Sequence, residues 1–266
     1  MTRNNAYTDE YLDACAEILG CVRAQKDAVQ QAARWCSETI LAGRMVHIFG
    51  SGHSRMMVEE MWPRYGSFPG WNPIVELSLS FHNLVVGANG QRQAMFLENV
   101  SGLAEQILRN FDLSERDTAI VISSSGCNVV PIEMAQGFKA AGINVIAIVS
   151  TQHAEPSTSK AASGLKLMEF ADIVLDTGAP KGDAMVTIDG LETPVAPGST
   201  IGGAMLINCI KVETAALLTA AGAPPNVLTA GVVAGPEKST MLFQSAYDEH
   251  AHRMAKLYEN VGKTAG

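Results

Sequence analysis

The chain has 266 residues, 47% of them hydrophobic and 17% charged, and its formal net charge is −8. This length and apolar content are enough for a full core, and the acidic balance excludes a general binding surface for nucleic acid or anionic lipid. The five cysteines are odd in number and form no CxxC pair, which favours free thiols over a disulfide framework or a zinc ribbon.

The first residues contain no apolar signal core. The longest apolar run, residues 201–210, is too short and too rich in glycine to cross a bilayer. We therefore expect a cytoplasmic protein with no membrane partner and no nucleic-acid partner.

Helices and strands alternate along most of the chain. Residues 8–42 have apolar positions at near-helical spacing and predict one long helix that ends at Gly43. Short apolar runs predict five buried strands at residues 45–49, 73–77, 118–122, 145–149 and 173–175. Connecting helices are predicted at residues 54–65, 91–111 and 130–141. This alternation is typical of an α/β fold with a doubly wound, five-stranded parallel sheet flanked by helices.

The alternation stops after the fifth strand. Asp189-Gly190 lies between two apolar runs and predicts a type I′ hairpin formed by residues 184–188 and 191–195. Residues 200–221 then predict a helix that is apolar nearly all round, buried by the sheet, by a partner subunit, or by both.

A last helix is predicted to begin at Pro236, after a linker. We expect one domain with three parts: an N-terminal helix in residues 1–43, an α/β core in residues 44–222, and the linker and last helix in residues 223–266.

Two loops, each between a predicted strand and a predicted helix, have the composition of an anion site. Their sequences are Gly50-Ser51-Gly52-His53-Ser54 and Ser123-Ser124-Ser125-Gly126-Cys127-Asn128. Free backbone N–H groups, serine hydroxyls and the positive end of a helix dipole favour phosphate at such corners. Ligands of doubly wound sheets lie beyond the carboxyl ends of the strands, where both loops are predicted. We predict phosphate binding by Ser51, Gly52, Ser54, Ser123, Ser124, Ser125, Gly126 and Asn128.

A dinucleotide site is the rival interpretation of the first loop. Gly50-x-Gly52 opens the dinucleotide fingerprint, and Glu76 lies where a ribose-binding acid could be placed, but Arg55 replaces the third glycine. A dinucleotide does not need a second serine-rich loop, so the pair of loops favours a phosphosugar. We expect no cofactor and no metal.

The two loops resemble the phosphate loops of the SIS (sugar isomerase) domain family, over roughly residues 40–222. That family's second loop reads Ser-x-Ser-Gly-x-Ser/Thr, and this chain ends the pattern with Asn128. The stretches Phe170-Ala171-Asp172, Asp183-Ala184 and Asn226 onward resemble a branch often grouped with phosphoheptose isomerases. The resemblance implies a homodimer or homotetramer with active sites at subunit interfaces. It also implies phosphate contacts from Ser54, Ser123, Ser124, Ser125 and Asn128.

Aldose–ketose isomerisation needs a base that moves a proton between two carbons and a group that helps to open the sugar ring. Phosphoheptose isomerases carry a Glu-Glu pair in the helix after the first loop, about one turn farther along. The resemblance points to Glu60 as the base and to Glu59 as its alternative. His82 after the second strand and His53 in the first loop are the other catalytic candidates. The alternatives are a solvated glutamate pair on an amphipathic helix and histidines that only brace loops.

Phosphoheptose isomerases supply a histidine from the long helix that corresponds to residues 200–221, and this chain has none there. Asn208 and Lys211, one turn apart, could instead face a neighbouring subunit's pocket, and Asp176 and Asp183 could contact sugar hydroxyls or serve as turn and capping residues. We predict a phosphosugar-binding protein, foremost a sugar-phosphate isomerase. A phosphosugar sensor without turnover and a sugar-phosphate lyase or etherase stay open.

Overall fold

The computed structural model describes residues 6–80 and 90–261. The N-terminal segment forms two helices, α1 (Ala6–Ala24) and α2 (Lys26–Leu41), where the sequence predicted one. The side-chain amide of Gln25, at the break, donates to the carbonyl oxygen of Asp176 at 2.8 Å and accepts from its backbone N–H at 2.7 Å. The prediction of one helix is therefore wrong. The apolar spacing continues through Gln25, so the sequence pattern does not show the break.

Five parallel strands form the central sheet: β1 (Val46–Gly50), β2 (Trp71–Ile74), β3 (Thr118–Ile122), β4 (Asn144–Val149) and β5 (Ile173–Asp176). The order in the sheet is β2-β1-β3-β4-β5. The predicted doubly wound, five-stranded sheet is confirmed. β2 lies earlier in the chain than the predicted residues 73–77, and it can include Pro73 because edge strands tolerate a missing N–H group.

Helices connect the strands. α3 (Arg55–Met61) follows β1 after a short 3-10 turn, Gly52–Ser54. Two helices, α4 (Gln91–Leu97) and α5 (Leu103–Leu108), replace the single helix predicted at residues 91–111. Gly102, with φ of 86°, separates them, and its N–H donates to the Glu133 carboxylate at 2.8 Å.

α6 (Val129–Ala140) follows β3, and the short α7 (Thr151–Ala154) follows β4. The C-terminal part contains α8 (Ser199–Ala220), α9 (Gly231–Ala234) and α10 (Pro236–Tyr258). These bounds are close to the predicted helices at residues 130–141 and 200–221.

The predicted hairpin forms only in part, and its turn is not of type I′. Its two arms share one isolated antiparallel bridge, between Val186 and Val195. Gly190 has a φ of 83°, but Asp189 is not in the left-handed region, and a type I′ turn needs positive φ at both residues. Pro194 and Pro197, which have no N–H groups, prevent the second arm from extending the ladder.

The apolar core covers both faces of the sheet. One face packs against α2, α3 and α8, through side chains such as Ile48, Ile120 and Leu206. The other face packs against α5 and α6, through Phe49, Val121 and Phe138. With both faces covered, the ends of the strands are left as the place for a ligand site.

α8 is buried on one side only. Leu206, Ile207 and Ile210 are in the core, whereas the side chain of Val212 is 66% exposed. Packing against α2 and α3 buries one face of this helix, and burial of the other face by a partner subunit stays a prediction. By length and composition α8 could cross a membrane, with a mean hydropathy of 1.5, but a single such helix is weak evidence because core helices pass the same test.

Candidate functional site

The two serine loops are neighbours in space. They follow β1 and β3, which pair directly, with Gly50 beside Ile122 at their carboxyl ends. From β1 the chain first turns to β2 on one side and later returns to β3 on the other. The loops therefore flank the point where strand order reverses, which is where doubly wound sheets bind ligands.

The first loop makes a tight turn into α3. Gly52 has a φ of 56°, and the Ser54 N–H donates to the Ser51 carbonyl oxygen at 3.1 Å. A side chain at Gly50 would meet the Ser54 carbonyl oxygen at 2.7 Å, so only glycine fits there. The hydroxyl of the buried Ser51 donates to Oε2 of Glu98 at 2.8 Å.

The second loop is braced by its own hydroxyls. Ser123 Oγ accepts from the Gly126 N–H at 3.2 Å, and Ser125 Oγ accepts from the Cys127 N–H at 3.3 Å. Gly126, at φ of 62°, allows the turn. The hydroxyl of Ser124 is buried and has no hydrogen-bond partner among the described residues. A buried hydroxyl without a hydrogen bond destabilises the protein unless a ligand or water supplies the partner.

Asn128 is the N-cap of α6, so the positive end of this helix dipole lies beside the second loop. The side-chain oxygen of Asn128 accepts from Nζ of Lys160 at 2.7 Å. Lys160 is thus a cation near the second loop that the sequence analysis did not identify, because it belongs to the connection between β4 and β5.

Glu98, just after α4, links the first loop to the start of α6, the helix that follows the second loop. Its carboxylate accepts from Ser51 in the first loop, and its carbonyl oxygen accepts from the Val130 N–H in the first turn of α6 at 2.9 Å. Burial raises the pKa of Glu98 above its usual value, partly offset by the Ser51 hydrogen bond and the charge of Lys160. Sequence reasoning missed Glu98 because its position depends on the break between α4 and α5.

The glutamate pair lies farther along α3. Glu59 has a side chain that is 53% exposed and an ion pair with Arg55 at 3.4 Å. Glu60 accepts from Nδ2 of Asn208 at 2.9 Å and forms a short ion pair with Arg64. Burial raises the pKa of Glu60, but the hydrogen bonds from Asn208 and Arg64 outweigh it, so the pKa lies below its usual value.

Asn208 and Lys211 contact α3 of their own chain. Nζ of the buried Lys211 donates to the Glu60 carbonyl oxygen at 2.7 Å and to Oδ1 of Asn208 at 3.1 Å. That these two side chains face a neighbouring subunit's pocket stays a prediction.

Glu59 and Glu60 border a groove of about 520 Å³ between α3 and α10, which Tyr65, Phe243 and Tyr247 also line. Its described lining includes no residue of either serine loop.

Two histidines and two aspartates are the remaining residues that the sequence indicated for the site. His53 is exposed in the 3-10 turn of the first loop, and His82 lies outside the described residues. Asp176 accepts from the N–H groups of Thr151 and Gly178, and Asp183 accepts from those of Gly198 and Ser199 at the start of α8. Both aspartates thus serve as turn and capping residues, which was the alternative to sugar contact.

Within residues 6–80 and 90–261, no cluster of three or more His, Cys, Asp or Glu side chains could hold a metal ion. That the protein works without a metal or cofactor stays a prediction.

Comparison with known proteins establishes the family. A family model described as the SIS domain matches residues 10–150. A UPF0309 protein of Halalkalibacterium halodurans is 35% identical over 234 residues, which cover 86% of this chain and 94% of that protein. A UPF0309 protein of Geobacillus thermodenitrificans is 31% identical over 242 residues, covering 91% and 95%. The chain therefore belongs to the SIS domain family and, with these relatives, to the UPF0309 proteins.

Solved structures are more distant. A phosphoheptose isomerase from Francisella tularensis has a TM-score of 0.48 and 16% identity, with 80% of this chain and 98% of that one covered. The Vibrio vulnificus NanR protein complexed with ManNAc-6P has a TM-score of 0.43 and 12% identity, covering 95% and 69%. Neither likeness is strong enough to transfer a ligand or an activity.

Proposed function

We propose that this protein binds a sugar phosphate at the two serine loops and interconverts its aldose and ketose forms. The observation that carries the proposal is the buried hydroxyl of Ser124, beside the N-terminus of α6, which has no hydrogen-bond partner in residues 6–80 and 90–261. A phosphate oxygen would accept a hydrogen bond from that hydroxyl. The helix dipole and the loop N–H groups would stabilise the negative charge of the phosphate. The family to which the chain belongs is consistent with this ligand class.

The loop geometry supports a local anion site on an acidic protein. Ser123 and Ser125 use their hydroxyls to hold loop N–H groups, so the loop is shaped before a ligand arrives. Lys160 supplies a positive charge within hydrogen-bond distance of Asn128. Phosphate contacts from Ser51, Gly52 and Ser54 complete the proposed site, and Gly126, whose N–H donates to Ser123, gives the second loop its turn.

Isomerisation requires only proton transfers. A base takes the proton from C2 of the open-chain aldose while O1 gains a proton, and this forms an enediol. The enediol loses the O2 proton and gains a proton at C1, which gives the ketose with no change in atoms or electrons. Glu60, Glu59, His53 and His82 stay our sequence-based candidates for these transfers.

Activity is tested by incubating the purified protein in heavy water with pentose, hexose, N-acetylhexosamine and heptose phosphates. An isomerase exchanges solvent deuterium into C1 or C2 of its substrate, which NMR detects directly. Binding of one of these phosphates without exchange would favour a sensor, and elimination of a substituent would favour a lyase. Either result would contradict the isomerase.

Ser124→Ala tests the phosphate site. The variant removes a hydroxyl that holds no other described group in place, so folding should be unaffected. Loss of one donor to a charged ligand costs roughly 1.5–3 kcal/mol, or about tenfold or more in affinity. Calorimetry with inorganic phosphate and with the best sugar phosphate measures the change. Ser245→Ala, on the exposed side of α10, is the matched control. Equal affinities for both variants would contradict this site.

A further inference from the structure

We propose that Glu98 is the catalytic base of this site and takes the carbon-bound proton of the sugar phosphate. The inference rests on the proposed function and adds a residue that neither the apolar pattern nor the family motifs indicated. Among the described carboxylates, Glu98 is the one that hydrogen-bonds a side chain of a serine loop.

Glu98 is fixed from both sides of the proposed phosphate site. Ser51 of the first loop holds Oε2 at 2.8 Å, and the Val130 N–H at the start of α6 holds the carbonyl oxygen at 2.9 Å. No residue in the described ranges donates a hydrogen bond to Oε1. One carboxylate oxygen is therefore positioned, and the other has a lone pair available for a substrate proton.

The electrostatics of Glu98 differ from those of Glu60. Burial raises the pKa of Glu98, and the charged side chain that acts on it is Lys160, whereas Asn208 and Arg64 hold the pKa of Glu60 below its usual value. A base with a pKa closer to neutrality accepts a proton from carbon more readily. Glu60 is also held by its neighbours in a groove that the serine loops do not line.

In the reaction, Oε1 of Glu98 accepts the C2 proton as the C2–H electron pair forms the enediol double bond and O1 takes a proton. The protonated Glu98 then returns its proton to C1, and O2 loses its own. The carboxyl group takes one proton and gives one back, so no other reactant is required. While the enediol is bound, this proton exchanges with solvent, so heavy water delivers deuterium to the sugar carbon.

The test compares Glu98→Gln with wild type in the deuterium-exchange assay. Glutamine keeps the length and the oxygen that accepts from Ser51, so fold and phosphate affinity should be retained. We expect turnover and exchange to fall by roughly a hundredfold or more, in kcat rather than KM. Inorganic phosphate affinity should stay within about twofold, since the ligand-binding groups are intact. Glu105→Gln, exposed on α5, is the control and should keep full activity.

Ser51→Ala separates catalysis from positioning. If Glu98 only braced the first loop, Ser51→Ala and Glu98→Gln would lose kcat equally, and this outcome would overturn the proposal. Ser51→Ala loses the hydrogen bond to Oε2 but keeps the carboxylate, so we expect a smaller loss of kcat than in Glu98→Gln and an acidic limb that remains in its pH–rate profile. If Glu98→Gln exchanged deuterium as fast as wild type, the role of Glu98 would be refuted while the isomerase activity would stand. No exchange by wild type with any substrate would refute both this role and the isomerase.

Discussion

At the scale of single residues, a buried ionic cluster links the strands at their amino ends, opposite the serine loops. Asp117, next to β3, accepts from Nε and Nη2 of Arg44 at 2.7 and 2.8 Å and from the Ser114 N–H at 2.9 Å. Nε2 of His47 lies 3.2 Å from the same carboxylate, and its Nδ1 is 2.9 Å from Nδ2 of Asn72. The cluster links segments at the start of β1, β2 and β3.

Asp117→Asn should destabilise the protein by about 3 kcal/mol at neutral pH, because removing one partner leaves buried polar groups unpaired. Burial raises the pKa of Asp117, but His47 and Arg44 outweigh it and keep the pKa below its usual value. The stabilisation is then fully present above the unfolded-state pKa of about 3.9 and is lost as the pH falls through the lower folded-state pKa.

Urea unfolding from neutral to acidic pH measures both effects. The stability gap between wild type and Asp117→Asn should be largest near neutrality and should narrow below a pH of about 3.9. Asp13→Asn, exposed on α1, should show no such gap. A gap that stays constant with pH would mean that ionisation of Asp117 is not the source.

At the scale of elements, the contact of α8 with the end of the sheet depends on glycine. A side-chain carbon at Gly202 would lie 1.9 Å from the Thr177 carbonyl oxygen, and that backbone follows directly from β5. Gly20, also inside a helix, has open space around the same position. Alanine at Gly20 therefore tests helix propensity alone, whereas alanine at Gly202 also tests the close packing of α8.

Gly202→Ala should lower the free energy of unfolding by at least about 2 kcal/mol, since α8 must move away from the backbone of Thr177. Gly20→Ala should raise it by roughly 0.5–1 kcal/mol through helix propensity alone. Urea denaturation of both variants gives the two values. If Gly202→Ala were as stable as wild type, the close approach of α8 would be incorrect.

At the scale of the whole molecule, α8 presents an uncovered apolar stripe. Met205, Cys209 and Val212 recur at helical spacing, with Cys209 and Val212 exposed and Met205 partly buried. A helix of this hydropathy, with 44% of its most apolar window buried, is suited to helix packing. The family resemblance implies a homodimer or homotetramer, so we propose a second copy of this chain on the stripe.

Sedimentation equilibrium should therefore show a dimer or tetramer, and Val212→Glu should shift it towards the monomer because a carboxylate would be buried at the contact. Val232→Glu is the matched control, since Val232 is 97% exposed on α9, away from the stripe. Dissociation by the Val232 variant instead would assign the interface to α9. A wild-type monomer would contradict the oligomer altogether.

Much of the architecture follows from the sequence because it depends on local composition. A parallel strand covered on both faces must be apolar along its length, so β1, β3, β4 and β5 are visible as short hydrophobic runs. The serine loops are equally local, since glycine, serine and a following helix suffice to predict an anion-binding corner. The fold class, the family and the place of both loops were accessible in this way.

Tertiary structure alone decided which side chains meet at that corner. Gln25 breaks a helix because it bonds a strand 151 residues away, and Lys160 reaches Asn128 across 32 residues. Glu98 comes to lie between the loops because the chain turns after α4 and directs its carboxylate to Ser51, 47 residues earlier. Local pattern records which faces are apolar and where the chain can turn. It does not record contacts between distant polar groups, because those depend on how the layers pack.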